Sequence, residues 1–535
     1  MTNFFQKINR RYLLSPKILF FAISIQFYTL YNFKSNFLTE KFNIKKSEIG
    51  IQGGRVQLIT FFVNALMASF FDKFRKPRLF IITLMILSCT VFQIFFLEQF
   101  EDVGQLCFWA VFLLYSCLST CILPMCDKTV IEYLEEHQIN PKYFGRQVAF
   151  GTLGYIVVNY IVEKLITNKN DNISVPSSNK YDFNLLRFYY IGSTIVAVFF
   201  AFLLIRMPKK QKQAVEKSKK GWLEILKNTK FMCFLLIILF NGITRTAASM
   251  YLTIYWKDVL KLEPYHIDNI KSPFLKIPLE KINSTPISTA IFCGVFCELL
   301  IFLNGSFITK LLGIYWPILF AQLFQLMRFS AYLFLKPENK NNFFFVCLIE
   351  LLKGFNFGLT HISAAQLATN LCPKHLKTTA QILYSGTFVG LGSFFGGLIF
   401  GYLFKIFEDK KSTITSQPIT NDTSKGMESY RAFFITCCCI TLTTIIFFIL
   451  RYGLIERKLG KEKKDKNNQK ENEDNKDKEE SFNDKKDIVN LNEIVVDDQL
   501  NDKINNIEIK GKIDGIDKES VAKSVDDMDD DELII

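Results

Sequence analysis

The chain has 535 residues, of which 49% are hydrophobic and 15% aromatic, including 55 phenylalanines. A soluble domain of this size would struggle to bury so much apolar surface, so the composition argues against an ordinary globular protein. Residues 456–535 carry 25 acidic and 16 basic side chains, a net charge of −9. Because the whole chain has a net charge of +13, residues 1–455 carry +22. That positive charge lies in short segments between apolar runs, which indicates membrane topology and argues against nucleic-acid binding.

Twelve apolar runs, which we number spans 1 to 12, are long enough to cross a bilayer as helices, because about 20 apolar residues span its hydrocarbon core. The first six spans are Ile18 to Phe37, Ile49 to Phe71, Leu79 to Leu97, Leu106 to Pro124, Val148 to Leu165 and Phe188 to Ile205. The second six are Phe231 to Tyr255, Pro286 to Leu303, Ile314 to Leu335, Phe343 to Leu367, Ile382 to Phe404 and Ala432 to Leu450.

The order of these runs predicts an all-α polytopic membrane protein with about twelve transmembrane helices in two six-helix bundles. Residues 1–206 form the predicted N-terminal bundle and residues 231–455 the second. Between them lies a basic linker, 207–230, and after them a charged tail, 456–535, whose composition is typical of disorder. Lysine and arginine in the N-terminus and linker predict that both termini are cytoplasmic.

The histidines and cysteines predict neither a metal site nor a cofactor. The chain has 4 histidines and 13 cysteines, without a CxxC pair or a set at metal-ligand spacing. It also has no phosphate-binding glycine loop and no GxSxG elbow. We therefore expect that the protein is not an enzyme.

The turn between spans 2 and 3 has Asp72 followed by Lys73, Arg75 and Lys76. This acid before a dense basic turn resembles the loop motif of the major facilitator superfamily, although Ala68 and Arg75 stand where that family has glycines. The resemblance implies that these four residues form a conformational motif on the cytoplasmic side.

Three further stretches are similar to the lactose-permease-like branch of that superfamily. They are Ser47 to Gly50, Phe144 to Tyr155, and Cys372 to Gln381 with the glycines that follow it in span 11. Those glycines recur at small-xxx-small spacing, which lets helices approach closely. The resemblance covers Ile18 to Leu450 and implies a facilitator fold.

Ionisable side chains inside membrane spans are costly and usually face a cavity or a partner. In span 10, Glu350, Lys353 and His361 lie on one helical face. Proton coupling requires a carboxylate beside basic groups, and such residues occur in late spans of lactose-permease-like transporters. The predicted proton-coupling residues are Glu298, Arg328, Glu350 and His361.

Span 7 carries a polar stripe at i, i+4 and i+8, formed by Asn241, Arg245 and Ser249. A guanidinium can bind a solute hydroxyl or anion. Alternatively, Arg245 pairs with Glu298 or Glu350 and only holds the helices together. The predicted substrate-binding residues are Asn241, Arg245, Ser249, Phe357, Tyr155 and Asn159.

The sequence thus predicts a secondary active transporter of a small polar solute, a sugar, oligosaccharide or nucleoside, working by alternating access as a proton symporter. An uncoupled facilitator of the same fold, or a membrane receptor or scaffold that uses the tail, are the alternatives. The tail ends in Asp529–Ile534, which resembles an acidic dileucine signal and predicts sorting adaptors as partners at the plasma or endolysosomal membrane.

Overall fold

The computed structural model describes residues 13–73, 76–101, 103–139, 144–167, 181–205, 227–262, 276, 280, 283–337, 339–372, 377–413 and 422–455. Every regular element in these residues is a helix. The predicted tail and most of the predicted linker lie outside the described residues.

The first half of the chain forms spans 1 to 6. Their helices are Leu14–Phe27 and Lys34–Lys41 in span 1, Lys46–Lys73 in span 2, Pro77–Ile94 in span 3, Gln105–Thr120 and Ile122–Glu136 in span 4, Phe144–Ile166 in span 5 and Leu186–Leu204 in span 6. A short helix, Glu98–Glu101, joins spans 3 and 4.

The second half forms spans 7 to 12, and three of them contain π-helical turns. Their helices are Thr229–Ile254 with Tyr255–Val259 in span 7, Pro286–Leu303 in span 8, Tyr315–Leu333 in span 9, Asn342–Asn370 in span 10, Lys377–Ser385 with Gly386–Leu391 and Gly392–Thr413 in span 11, and Asp422–Phe448 with Ile449–Ile455 in span 12. The helix Gly305–Leu312 joins spans 8 and 9.

Within the described residues, nine helices have the length and apolar composition of a membrane span. The other three predicted spans are 1, 2 and 9. Span 1 is interrupted at Tyr28–Phe33, whereas spans 2 and 9 contain polar residues such as Arg55 and Arg328 that lower their mean hydropathy. The chain is an all-α polytopic membrane protein with about twelve spans, as the sequence predicts.

The two halves meet along three pairs of spans. Span 2 packs along span 11, span 5 along span 8, and span 1 against span 7. Within the first half, span 1 packs between spans 5 and 6, and within the second half, span 10 packs between spans 8 and 9. Spans 1, 5, 7, 8 and 10 can therefore surround a space between the halves.

The glycines of span 11 allow close contacts on two faces. A Cβ added to Gly392 would lie 2.8 Å from the Cα of Gly242 in span 7. A Cβ added to Gly397 would lie 2.4 Å from the carbonyl oxygen of Gly50 in span 2. Span 11 thus contacts its own half through one set of glycines and the other half through the next set.

The closest approach in the second half is between spans 8 and 10. A Cβ added to Gly354 would lie 2.1 Å from the carbonyl oxygen of Gly294 and 2.9 Å from the backbone nitrogen of Glu298. This crossing fixes Glu298 of span 8 beside the polar face of span 10.

Replacing Gly354 by alanine is expected to destabilise the protein by about 1–3 kcal/mol, because neither backbone can yield without moving a helix. Gly192, which lies in span 6, is the matched control: nothing lies within 4 Å of its added Cβ, and Gly192→Ala should leave stability unchanged or raise it slightly. Thermal unfolding in detergent measures both, and equal melting temperatures for the two variants would contradict the crossing geometry.

Candidate functional site

A cavity of about 600 Å³ lies between the two halves. Spans 1 and 5 form one wall and spans 7 to 10 form the other. Its polar and aromatic lining residues include Tyr28, Tyr31, Asn32, Tyr155, Arg245, Ser249, Trp256, Glu298, Gln325, Arg328, Glu350, Lys353, Asn356, Phe357 and His361. The volume and the mixture of rings with a few polar groups are typical of a site for a small molecule.

The strongest interaction in the cavity wall is an ion pair between spans 9 and 10. The Nε and Nη2 atoms of Arg328 donate to Oε1 of Glu350 at 3.0 and 2.8 Å, and the Tyr332 hydroxyl donates to the same oxygen at 2.7 Å. Trp256 Nε1 in turn donates to the Tyr332 hydroxyl at 3.2 Å. Glu350 is 0% exposed and Arg328 is 4% exposed, so the pair is held inside the bundle.

Arg245 of span 7 extends into the cavity between aromatic rings. Its guanidinium carbon lies 4.9 Å from the ring centroids of both Phe357 and Phe388. Its Nη2 donates to the Tyr31 hydroxyl of span 1 at 3.4 Å. The expected alternative, an ion pair with Glu298 or Glu350, is not present among the ion pairs of the described residues. Arg245 thus keeps most of its donors for another partner.

Glu298 and Lys353 are the other charged groups of the cavity. They lie on spans 8 and 10 on either side of the glycine crossing, and the charges of Lys353 and Arg245 both act on Glu298. Neither side chain takes part in a salt bridge within the described part of the chain. Glu298 is therefore the cavity carboxylate that is available to a solute or a proton, whereas Glu350 is committed to Arg328.

His361 lies in an aromatic environment, away from the ion pair. Its ring lies 4.9 Å from Phe357 and 6.1 Å from Phe302, and its Nδ1 is 3.3 Å from the Tyr384 hydroxyl. His361 and Glu350 both line the cavity, as their shared helical face predicts. About three turns of span 10 separate them along the helix axis.

The first half contributes a fixed hydrogen-bond network. The Nδ2 atom of Asn32 donates to the Tyr155 hydroxyl and to Oδ1 of Asn159, both at 2.7 Å. The Nδ2 atom of Asn159 donates to the Tyr155 carbonyl at 2.8 Å. Because the Tyr155 oxygen already accepts a bond from Asn32, its O–H is left to donate to another group.

Six predicted substrate-binding residues are thus divided between the cavity surface and the layer behind it. Arg245, Ser249, Phe357 and Tyr155 line the cavity. Asn241 and Asn159 are buried behind the wall, where Asn241 donates to Thr360 at 3.3 Å and Asn159 supports Asn32. Asn241 shares the helical face of Arg245 and Ser249, but Thr360 of span 10 packs against it there, so the stripe leaves the cavity surface at that residue.

All four predicted proton-coupling residues, Glu298, Arg328, Glu350 and His361, line the cavity. The predicted conformational motif lies elsewhere. Asp72 and Lys73 are the last residues of the span 2 helix, Lys76 is exposed before span 3, and Arg75 lies outside the described residues.

Contacts between the halves are concentrated at one end of the bundles, which we call the Glu40 end. Glu40 of span 1 forms an ion pair with Lys257 of span 7 and accepts a bond from the Tyr181 backbone nitrogen at 2.6 Å. Glu163 of span 5 accepts bonds from the backbone nitrogens of Ile287 and Ser288 at 3.0 and 2.5 Å. A carboxylate at the start of span 8 satisfies donors that a helix N-terminus leaves free.

At the opposite end, which we call the Phe144 end, the cavity extends between the halves. Phe144 and Gly145 at the start of span 5 line it on one side, and Ile362 and Ala365 in the later part of span 10 line it on the other. The halves are therefore joined at the Glu40 end with the cavity directed toward the Phe144 end.

Tyr31, Gln325 and Glu163 are site residues that the sequence reasoning missed. Tyr31 lies within the break in span 1, and Gln325 lies three residues before Arg328 on the same helical face. That spacing is a signal that could have identified Gln325. Glu163 could not be found in this way, because its partners are backbone groups of a helix that begins 123 residues later.

The fold and the cavity define a two-bundle polytopic membrane protein built like a facilitator-type carrier. A sequence model of the MFS_1-like family matches residues 13–414, and the chain therefore belongs to this family within the major facilitator superfamily. The membership of the major facilitator superfamily that the sequence predicts is confirmed.

Known relatives of the chain are transporters and not enzymes. The uncharacterized transporter YwbF of Bacillus subtilis (strain 168) is 23% identical over 296 residues, which cover 54% of this chain and 63% of that protein. The chain thus spans less than two thirds of the length of this relative.

Solved structures share the fold. The nucleoside transporter NupG is similar with a TM-score of 0.61 and 16% identity, over 82% of this chain and 98% of that one. A bacterial homologue of the human lysosomal transporter Spinster, in an inward-facing and unoccupied conformation, has a TM-score of 0.56 and 13% identity, over 83% and 96% of the two chains.

Removing either partner of the buried ion pair should destabilise the protein by about 3–5 kcal/mol, because the other charge is left unpaired inside the bundle. Arg328→Met and Glu350→Met are the single variants. The double variant should recover most of the loss, since it buries no charge. Thermal unfolding in detergent measures all three, and a double variant less stable than both singles would contradict this account.

Proposed function

We propose that the protein transports a small polar solute by alternating access of the central cavity. The observation that carries this proposal is the cavity itself, which both halves line and which contains Glu298 and Lys353, charged groups that form no salt bridge within the described residues. A purely structural bundle gains nothing from such groups in a membrane, because they are costly there.

The arrangement of contacts supports a rocking movement of the halves. Hydrogen bonds and the Glu40–Lys257 ion pair join the halves at the Glu40 end, and each is a contact between side chains or a helix terminus that can separate without unfolding a span. The positive-inside pattern favours a cytoplasmic Phe144 end, and the proposal therefore treats this conformation as the inward-facing state.

The solute class is a sugar, oligosaccharide or nucleoside. The cavity offers hydroxyl and guanidinium donors at Tyr155 and Arg245, and rings of Phe357 and Trp256 on which a sugar or base can stack. A volume of about 600 Å³ accommodates such a molecule. NupG, which shares the fold, is a nucleoside transporter, and this favours nucleosides as the first group to test.

Proton symport is the proposed coupling. Glu298 is the cavity carboxylate without a salt-bridge partner in the described residues, and Lys353 and Arg245 place positive charge around it. A carboxylate in this position can exchange a proton with whichever side the cavity faces.

Vesicles that contain the purified full-length chain should take up at least one labelled solute from a panel of uridine, adenosine, D-glucose and lactose. Uptake should saturate, because each cycle moves one cavity's contents. Empty vesicles are the control. Uptake of all four solutes at the rate of empty vesicles would contradict the proposed solute class.

Glu298→Gln should abolish accumulation driven by a pH gradient but preserve exchange of solute across vesicles without a gradient, because the amide cannot carry the proton yet retains the shape of the side chain. Glu350→Gln is measured beside it, and Glu136→Gln, an exposed residue at the Phe144 end, is the control that keeps both activities. Undiminished uphill uptake by both the Glu298 and Glu350 variants would refute proton coupling through these residues.

A further inference from the structure

Three polar side-chain atoms of the cavity wall are buried and have no hydrogen-bond partner among the described residues: the Thr253 hydroxyl in span 7 and two oxygens that can only accept. The two acceptors are Oε1 of Gln325 in span 9 and Oε2 of Glu350 in span 10. Both residues line the cavity, and they are 1% and 0% exposed. A buried acceptor without a donor is costly, and native structures rarely keep one without a use for it.

The Glu350 carboxylate cannot simply turn to satisfy its second oxygen. Oε1 already receives two bonds from Arg328 and one from Tyr332, and Tyr332 is itself held by Trp256. Rotation of the carboxylate would exchange one unpartnered oxygen for the other. The residues around the pair therefore hold one acceptor in a fixed position.

Gln325 presents its acceptor from the same face of span 9 as Arg328, because the two residues are three positions apart. Arg328 bridges from that face to Glu350. Gln325 thus lies one turn from Arg328, the partner of Glu350, and both acceptor residues line the same cavity.

The charge of this region selects the kind of donor. Arg328 already offsets the charge of Glu350, and Gln325 is neutral. An ammonium group would add an uncompensated positive charge inside the bundle, whereas a hydroxyl or an amide-type N–H would satisfy the acceptors at no such cost.

We propose that Gln325 and Glu350 form a subsite for a neutral hydrogen-bond donor of the transported solute. This inference rests on the proposed function and deepens it, since it states which edge of the solute faces spans 9 and 10. Sugars offer hydroxyl donors and nucleosides offer ribose hydroxyls or base N–H groups. Arg245 and Tyr155, which have donors to give, then face the acceptor groups of the same solute.

Gln322 provides a matched control for this subsite. It lies on the same helix, is also 1% exposed and is one turn from Gln325, but it is not among the described residues that line the cavity. Gln325→Met and Gln322→Met make the same chemical change with nearly the same side-chain volume. Only the first removes a cavity acceptor.

The test measures dissociation constants of uridine, adenosine, D-glucose and lactose for the full-length wild type and both variants, by the rise in melting temperature with solute concentration. Single-site deoxyfluoro analogues of each bound solute keep nearly the same shape but lack one hydroxyl donor, and N3-methyluridine lacks the base N–H donor but carries an added methyl group. Gln325→Met should bind the parent solute about ten-fold more weakly, with Gln322→Met like the wild type. The analogue that lacks the donor held by Gln325 should bind more weakly than its parent, and its affinity should be the same for the wild type and Gln325→Met.

Two results would overturn the inference, and they differ in what else they reject. If Gln325→Met binds every parent solute and analogue as the wild type does, the subsite is wrong and the proposed transport function stands. If the wild type binds none of the four parents, the proposed solute class fails together with the subsite. Should Gln325→Met not fold, equal wild-type affinity for a parent and all its analogues would still overturn the inference.

Discussion

Arg328 and Glu350 form an ion pair in the interior of a membrane bundle, where each charge alone would cost several kcal/mol. Three hydrogen bonds to one carboxylate oxygen make the pair tolerable and hold spans 9 and 10 in register. Because Arg328 offsets the charge of Glu350, the neighbouring cavity can hold Glu298 and Lys353, neither of which forms a salt bridge within the described residues. The polar interior of the second half therefore depends on this pair.

The two halves differ in what they contribute to the cavity. The second half supplies the charged groups, and the first half supplies a neutral hydrogen-bond network around Asn32 and Tyr155. Asn32 reaches that position because span 1 is interrupted at Tyr28–Phe33. An irregular backbone at membrane depth is tolerated where it lines a cavity, and here it places polar groups against the charged wall.

The sequence was sufficient for the fold and for much of the cavity. Apolar runs give helices, and an ionisable residue in such a run indicates a cavity or a partner, which is how Arg245, Glu298 and His361 were identified. The sequence could not distinguish residues on the cavity surface from residues behind it, because Asn241 and Ser249 share a stripe but only Asn241 is covered, by Thr360 of span 10. It also could not reveal Glu163, whose role depends on the backbone of span 8.

The central claim is that the two halves expose one cavity alternately to the two sides. The most direct measurement is a pair of distances by pulsed electron paramagnetic resonance in lipid nanodiscs. A pair of spin labels at the exposed positions Leu106 and Phe334 measures the separation of the halves at the Glu40 end. A pair at Glu136 and Leu311 measures it at the Phe144 end. Under conditions that drive transport, the first distance should increase in the molecules in which the second decreases. Two distances that stay fixed, or that change in the same direction, would contradict alternating access.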